Sequence, residues 1–151
     1  MSEIQDISGD QLVGPDWTRS FVRVPKIMLR SKEYAELNPR ARAAYLEIAS
    51  LYNGHNNGVI ACAAGYLAKQ LRCSKSSAAR AVQKLILLGF IEIVETGRFA
   101  GYDSYATTYR ITLFDCDETG KKANPPFLGK NPTALNYFAA RYSATSNDDD
   151  F

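Results

Sequence analysis

The residues of this chain best suited to chemistry are a run of hydroxyl and cationic side chains between Lys69 and Lys84. Ser74, Lys75, Ser76 and Ser77 open a stretch of helical periodicity, and Arg80 and Lys84 follow within it. At 100° per residue, with Val82 turned to the core, Ser77, Arg80 and Lys84 fall near the opposite side. Such a stripe suits a polyanion. Free N–H groups and the dipole at a helix start favour phosphate around Ser74 to Ser77. The forked guanidinium of Arg80 can bond guanine O6 and N7 together, and a helix carrying it fits the major groove of B-DNA. Lys84 is expected to pair with a phosphate. Lys69, Gln70 and Arg72 would brace the nucleic-acid backbone from the preceding helix and turn, and Arg98, with Tyr102 beside it, would act from a later hairpin. The competing reading is a solvated polar face on an amphipathic helix. Ser74 keeps a capping role under either one.

Other chemistry is poorly provided for. The chain has no P-loop, no HExxH and no GxSxG motif. Its one histidine, His55, lies in the loop NGHNNG and reads as a solvated turn residue. Cys62, Cys73 and Cys116 are odd in number and widely spaced, which suggests neither a disulfide framework nor a zinc site. Cys73 reads as a small packing residue. The carboxylates Glu33, Glu36, Glu47, Glu92, Glu95 and Asp103 form no evident acid–base pair. The expectation is a protein that is not an enzyme, with no cofactor, metal or small-molecule ligand.

The supporting body must come from 151 residues, 46% of them apolar and 23% charged, enough for one domain with tails. No apolar run approaches the ~18–20 residues that span a bilayer. The start, MSEIQDISGD, lacks the basic-then-apolar order of a signal peptide, so a cytoplasmic protein away from membranes is expected. The net charge of +2 is unevenly spread. Residues 21–113 hold thirteen Lys/Arg against six Asp/Glu, whereas residues 1–20 and 114–151 are both net acidic. A basic body between acidic tails suits a polyanionic partner.

Residues 1–20 read as a flexible acidic leader. Residues 21–113 read as the domain. Phe21, Val22 and Val24 alternate, and the chain turns helical after Pro25, with Ser31 capping a short turn that carries Tyr34 and Leu37. Asn38 and Pro39 make a strong helix start. Ala41, Ala44, Tyr45, Ile48, Leu51 and Tyr52 follow as one apolar face, ending at Asn53-Gly54. Val59 to Cys62 predicts an edge strand, and Ala64 to Leu71 a short helix without a strong cap. Ser74 caps the next helix, whose inward face is Ala78, Val82, Leu85 and Ile86 and which ends at Gly89. Phe90–Glu95 and Thr108–Leu113 predict a hairpin around the polar segment TGRFAGYDSYAT. From Phe114 the chain reads as a tail, with a short helix at about 133–143 carried by Leu135, Phe138, Ala139 and Tyr142. The order of helix, strand, helix, turn, helix and hairpin predicts an α+β winged helix-turn-helix, a three-helix core with a β-hairpin wing.

The block NNGVIACAAGYLAKQLRCSKSSAARAVQKLILLGFIEIVETGRF resembles the winged-helix domains of bacterial regulators and of phage or plasmid replication proteins. The resemblance rests on Leu67-Ala68, Ser74 to Ser77, Arg80-Ala81, Leu85 and Gly89-Phe90-Ile91. The upstream NPRARAAYLEIASLYNGHNNG is similar to small phage-associated helix-turn-helix proteins and to replication-initiator N-terminal domains. Cys62-Ala63-Ala64 departs from the family, which commonly offers a Ser or Thr cap there. The wing departs too, holding only Arg98 as a cation. The resemblance implies binding of double-stranded DNA through residues 74–88, foremost as a transcriptional regulator. A DNA-binding module of a replication protein and a winged helix used only for protein association remain as alternatives. Homodimerisation stays open, because many readers of this kind pair on two-fold sites.

Overall fold

The computed structural model describes residues 21–100 and 103–129, so the leader 1–20 and the helix expected at 133–143 lie outside the described residues. Two single turns come first, α1 (Lys26–Leu29) and α2 (Lys32–Ala35). Ser31 caps α2 as expected: its Oγ accepts from the Tyr34 N–H at 3.2 Å and donates to Met28 O at 2.6 Å. Helix α3 (Pro39–Ser50) starts as its sequence predicts, with Asn38 Oδ1 accepting from the Ala41 N–H at 2.8 Å. Ala41, Ala44, Tyr45 and Ile48 are its buried face.

Strand β1 (Ile60–Ala61) leads to α4 (Ala64–Leu71), whose N-cap, Ala63, supplies no side-chain acceptor. A tight turn follows, with Arg72 left-handed at φ 53° and the Cys73 N–H bonded to Ala68 O at 3.0 Å. Helix α5 (Lys75–Leu87) is capped by Ser74 Oγ, which accepts from the Ser77 N–H at 3.1 Å. It ends in a Schellman motif. The Phe90 N–H reaches Leu85 O at 2.9 Å and the Gly89 N–H reaches Ile86 O at 3.0 Å. Gly89 takes φ 86° there, which a side chain would oppose.

The remaining strands are β2 (Ile91–Glu95), β3 (Arg98–Ala100), β4 (Asp103–Tyr105) and β5 (Thr108–Ile111). The main sheet has the antiparallel order β1-β5-β2, with Ile60 opposite Tyr109 and Ile91 opposite Ile111. Its register is irregular between Ile93 and Glu95. Strands β3 and β4 pair with each other and form the wing tip inside the expected hairpin loop. Gly97 lets the tip fold back. A Cβ on it would lie 2.8 Å from Tyr105 O and 2.9 Å from Thr107 N. The α+β winged-helix architecture is thus present, with Met28, Ile48, Leu67, Leu85, Phe90 and Ile111 fully buried between helices and sheet.

The body does not stop at Leu113. Phe114, Cys116, Ala123 and Pro125 are buried, and the Phe114 ring stacks on Tyr52 at 5.0 Å. Two polar side chains explain why this acidic, proline-containing segment packs rather than trails. Asn57 is fully buried; its Oδ1 accepts from the Ile111 N–H at 2.7 Å. Its Nδ2 donates to Ile111 O, Asp115 O and Phe114 O at 2.9, 3.0 and 3.3 Å. Arg110, 3% exposed in its side chain, donates to Glu92 Oε2 at 2.8 Å, Asn124 Oδ1 at 2.9 Å and Lys122 O at 3.2 Å. These bonds replace the water that backbone and charge would lose on burial. The tail expected from Phe114 therefore begins as part of the domain, through the turn at Pro126–Leu128.

Candidate nucleic-acid interface

The exposed side of α5 follows from its buried side. Ala78, Ala81, Val82 and Leu85 face the core, so the outward crest at 100° per residue runs through Ser76, Arg80, Gln83 and Leu87. All four are exposed, Leu87 by 77%. Ser77 and Lys84 lie on the flank and are half-buried. The crest is thus rotated from the stripe that Val82 alone predicts. Arg80 belongs to both, and Gln83 is the side chain that sequence reasoning missed. Gln83 carries no charge to draw attention, and the buried alanines Ala78 and Ala81 carry too little apolar signal to centre the wheel.

Five hydroxyl and cationic groups gather at the first turns of α5. Ser74 Oγ caps the helix and lies 3.0 Å from both Ser76 Oγ and Ser77 Oγ. An Arg80 terminal nitrogen donates to Ser77 Oγ at 3.2 Å, which holds the guanidinium along the helix. Lys75 crosses to α4: a Cβ on Gly65 would lie 3.2 Å from Lys75 Cε, so the glycine leaves room for the lysine stem. Lys69 and Arg72 are exposed on the last turn of α4 and on the left-handed turn after it. Among the described residues, no carboxylate comes within 4.0 Å of Lys75, Arg80 or Lys84. The reason is plain in the chain, since residues 48–91 hold five Lys/Arg and no Asp or Glu. Among the described residues, the three cations of α5 are therefore not paired with a carboxylate.

Arg98 stands apart. On the wing its guanidinium lies 4.0 Å from Glu95 Oε1 and 5.3 Å from the centre of the Tyr105 ring. The aromatic neighbour the structure shows is Tyr105, while Tyr102 is outside the described residues. The wing and α5 are nonetheless neighbours: Gln83 and Ile86 of α5 share a cleft with Ile93 of β2 and Thr107.

The other reactive groups serve the fold. Burial, with the charge of Glu47 adding to it, pushes the Cys62 thiol up to about 11, so it stays protonated at neutral pH. His55 is exposed in its loop. Among the described residues, no group of His, Cys, Asp and Glu could hold a metal ion, and no helix is long and apolar enough to cross a membrane.

Residues 35–91 match the family profile of a helix-turn-helix domain. The matched segment spans α3, α4 and α5 and stops at the first residue of β2, leaving the wing and the packed segment beyond it outside the match. No curated protein and no solved structure is significantly similar to the chain.

Proposed function

Residues 35–91 of this chain are a helix-turn-helix domain of a DNA-binding family, and from that premise we propose that it binds double-stranded DNA through α5 as a transcriptional regulator. The observation that carries the reading is the crest of α5. A guanidinium held by Ser77 lies on it, exposed, beside a capped helix start rich in hydroxyls, and neither α4 nor α5 holds an acid. In this reading α5 enters the major groove, with Arg80 at base edges. Ser74, Ser76, Ser77 and Lys75 meet phosphate at the helix start, where N–H groups and the dipole favour an anion. Lys69, Arg72 and Lys84 add phosphate contacts from α4, the turn and the flank. Arg98, already engaged by Glu95 and Tyr105, contributes least. No catalytic step, cofactor or metal is assigned to the chain, and a cytoplasmic location goes with the reading. Two copies on a two-fold site are compatible with it.

The test is titration of a random-sequence duplex at 50 mM and 200 mM salt with the intact chain and with the Arg80→Ala/Lys84→Ala double variant. Binding that falls steeply with salt, and a shallower slope in the variant, are expected, because each lost phosphate contact releases fewer counterions. Binding unchanged by both substitutions and by salt would overturn the assignment and favour a domain used for protein association.

A further inference from the structure

We propose that Gln83 sets the sequence preference of the interface together with Arg80, by taking an A·T pair next to the G·C pair read by Arg80. The proposal rests on the major-groove reading of α5 and adds a specific base code to it. Gln83 is exposed on the crest, three residues after Arg80. Among the described residues its amide is bonded to nothing, whereas the Arg80 guanidinium is steadied by Ser77 at 3.2 Å. Gln83 lines a cleft with Ile86 of α5 and Ile93 of β2, so apolar side chains lie on its wing side. Exposed and unbonded, the amide is free to pair with whatever α5 meets.

Three residues advance a helix by about 4.5 Å, close to the ~3.4 Å step between stacked bases, so the two side chains reach neighbouring base pairs. The chemistry of the two heads differs. Five donors and no acceptor fit the paired acceptors N7 and O6 of guanine. One donor beside one acceptor fits N7 and N6–H2 of adenine, and of the crest residues only Gln83 offers that pairing with enough reach. Ser76 is short, and Leu87 has no polar atom. Lys84, on the half-buried flank, is left to phosphate and adds affinity without preference.

The experiment selects bound sequences from a random duplex pool with the intact chain and with Gln83→Ala, Gln83→Glu and Lys84→Gln, each checked for unchanged thermal melting. The intact chain is expected to enrich a guanine next to an adenine. Gln83→Ala should keep the guanine and lose the adenine, with about a tenfold fall in discrimination at that one position. Gln83→Glu should replace the adenine by cytosine, whose N4 amino group donates to a carboxylate. Lys84→Gln should weaken all sequences evenly. In the selected duplex, 7-deazaadenine at that position should weaken the intact chain and leave Gln83→Ala unaffected. If Gln83→Ala selects the same sequence as the intact chain, the code is wrong while the major-groove reading stands. If the intact chain retains no duplex from the pool, the reading itself fails, and the code with it.

Discussion

Replacing Asn57 by Ala removes the side chain that joins the loop after α3 to the end of the sheet. The cost can be followed atom by atom. The buried Ile111 N–H loses its acceptor at 2.7 Å, and Asp115 O loses a donor at 3.0 Å. Ile111 O and Phe114 O are less affected, because the Phe114 N–H and an Arg110 nitrogen still reach them at 3.4 Å each. The backbone of Asn57 keeps its own bonds to Asp117 and Glu118. One orphaned buried donor, one weakened acceptor and a small void together cost about 3 kcal/mol. For a domain slightly over 100 residues that is a fall of about 12 °C in Tm. Thermal and urea unfolding followed by circular dichroism measure it, with Asn56→Ala as the neighbouring control. Asn56 bonds only within its own loop, to the Asn53 N–H and Leu51 O, and its truncation should cost about 1 kcal/mol. A Tm for Asn57→Ala within about 3 °C of wild type would show that water satisfies these groups equally well and that the segment beyond Leu113 is not tied down as described.

Three further outcomes follow from the same geometry. Burial alone would raise the Glu92 carboxyl, but hydrogen bonds and charges from Arg110 and Lys121 outweigh it and hold the group below its ordinary range. Its contribution to stability is therefore complete above the unfolded carboxylate range near pH ~4.3 and is lost as pH falls through the lower folded value. Glu92→Gln should flatten the acid side of a Tm-against-pH curve, and an unchanged curve would count against the ion pair. Leu85→Ala, in the core, should cost about 2–5 kcal/mol in urea unfolding, while Leu87→Ala, two residues on but 77% exposed, should stay within about 0.5 kcal/mol. Equal effects would mean that the faces of α5 are misplaced. Gly97→Ala drives a Cβ against two backbone atoms at 2.8 and 2.9 Å and should lower stability by about 1–3 kcal/mol; an unaltered melting temperature would contradict the tight fold-back of the wing.

The elements were legible where local chemistry alone decides them. Asn38-Pro39, Ser31, Ser74 and Gly89 mark helix ends through bonds to residues three to five positions away, and each is where its type predicts. The strap beyond Leu113 was not legible, because its anchors act across the chain. Asn57 meets partners more than fifty residues later, and Arg110 meets Glu92, Asn124 and Lys122. A buried Asn in a Gly/Asn-rich loop looks like any turn residue, and a buried Arg at an alternating strand position looks like a solvated one. The candidate interface falls between these cases. Charge and capping located it on α5, but the orientation of the helix depends on which small residues are covered. Ala78 and Ala81 report that only once α3 and the sheet are in place.

The central claim, that α5 is the surface that meets DNA, is most directly tested by following backbone amide NMR shifts as a duplex is added. The largest changes are expected along Ser74 to Leu87, with smaller ones at Lys69, Arg72 and the wing around Arg98, and with little change in α1, α2 and the segment 114–129. Shifts confined to that last segment or to α1 and α2, with α5 silent, would contradict the account.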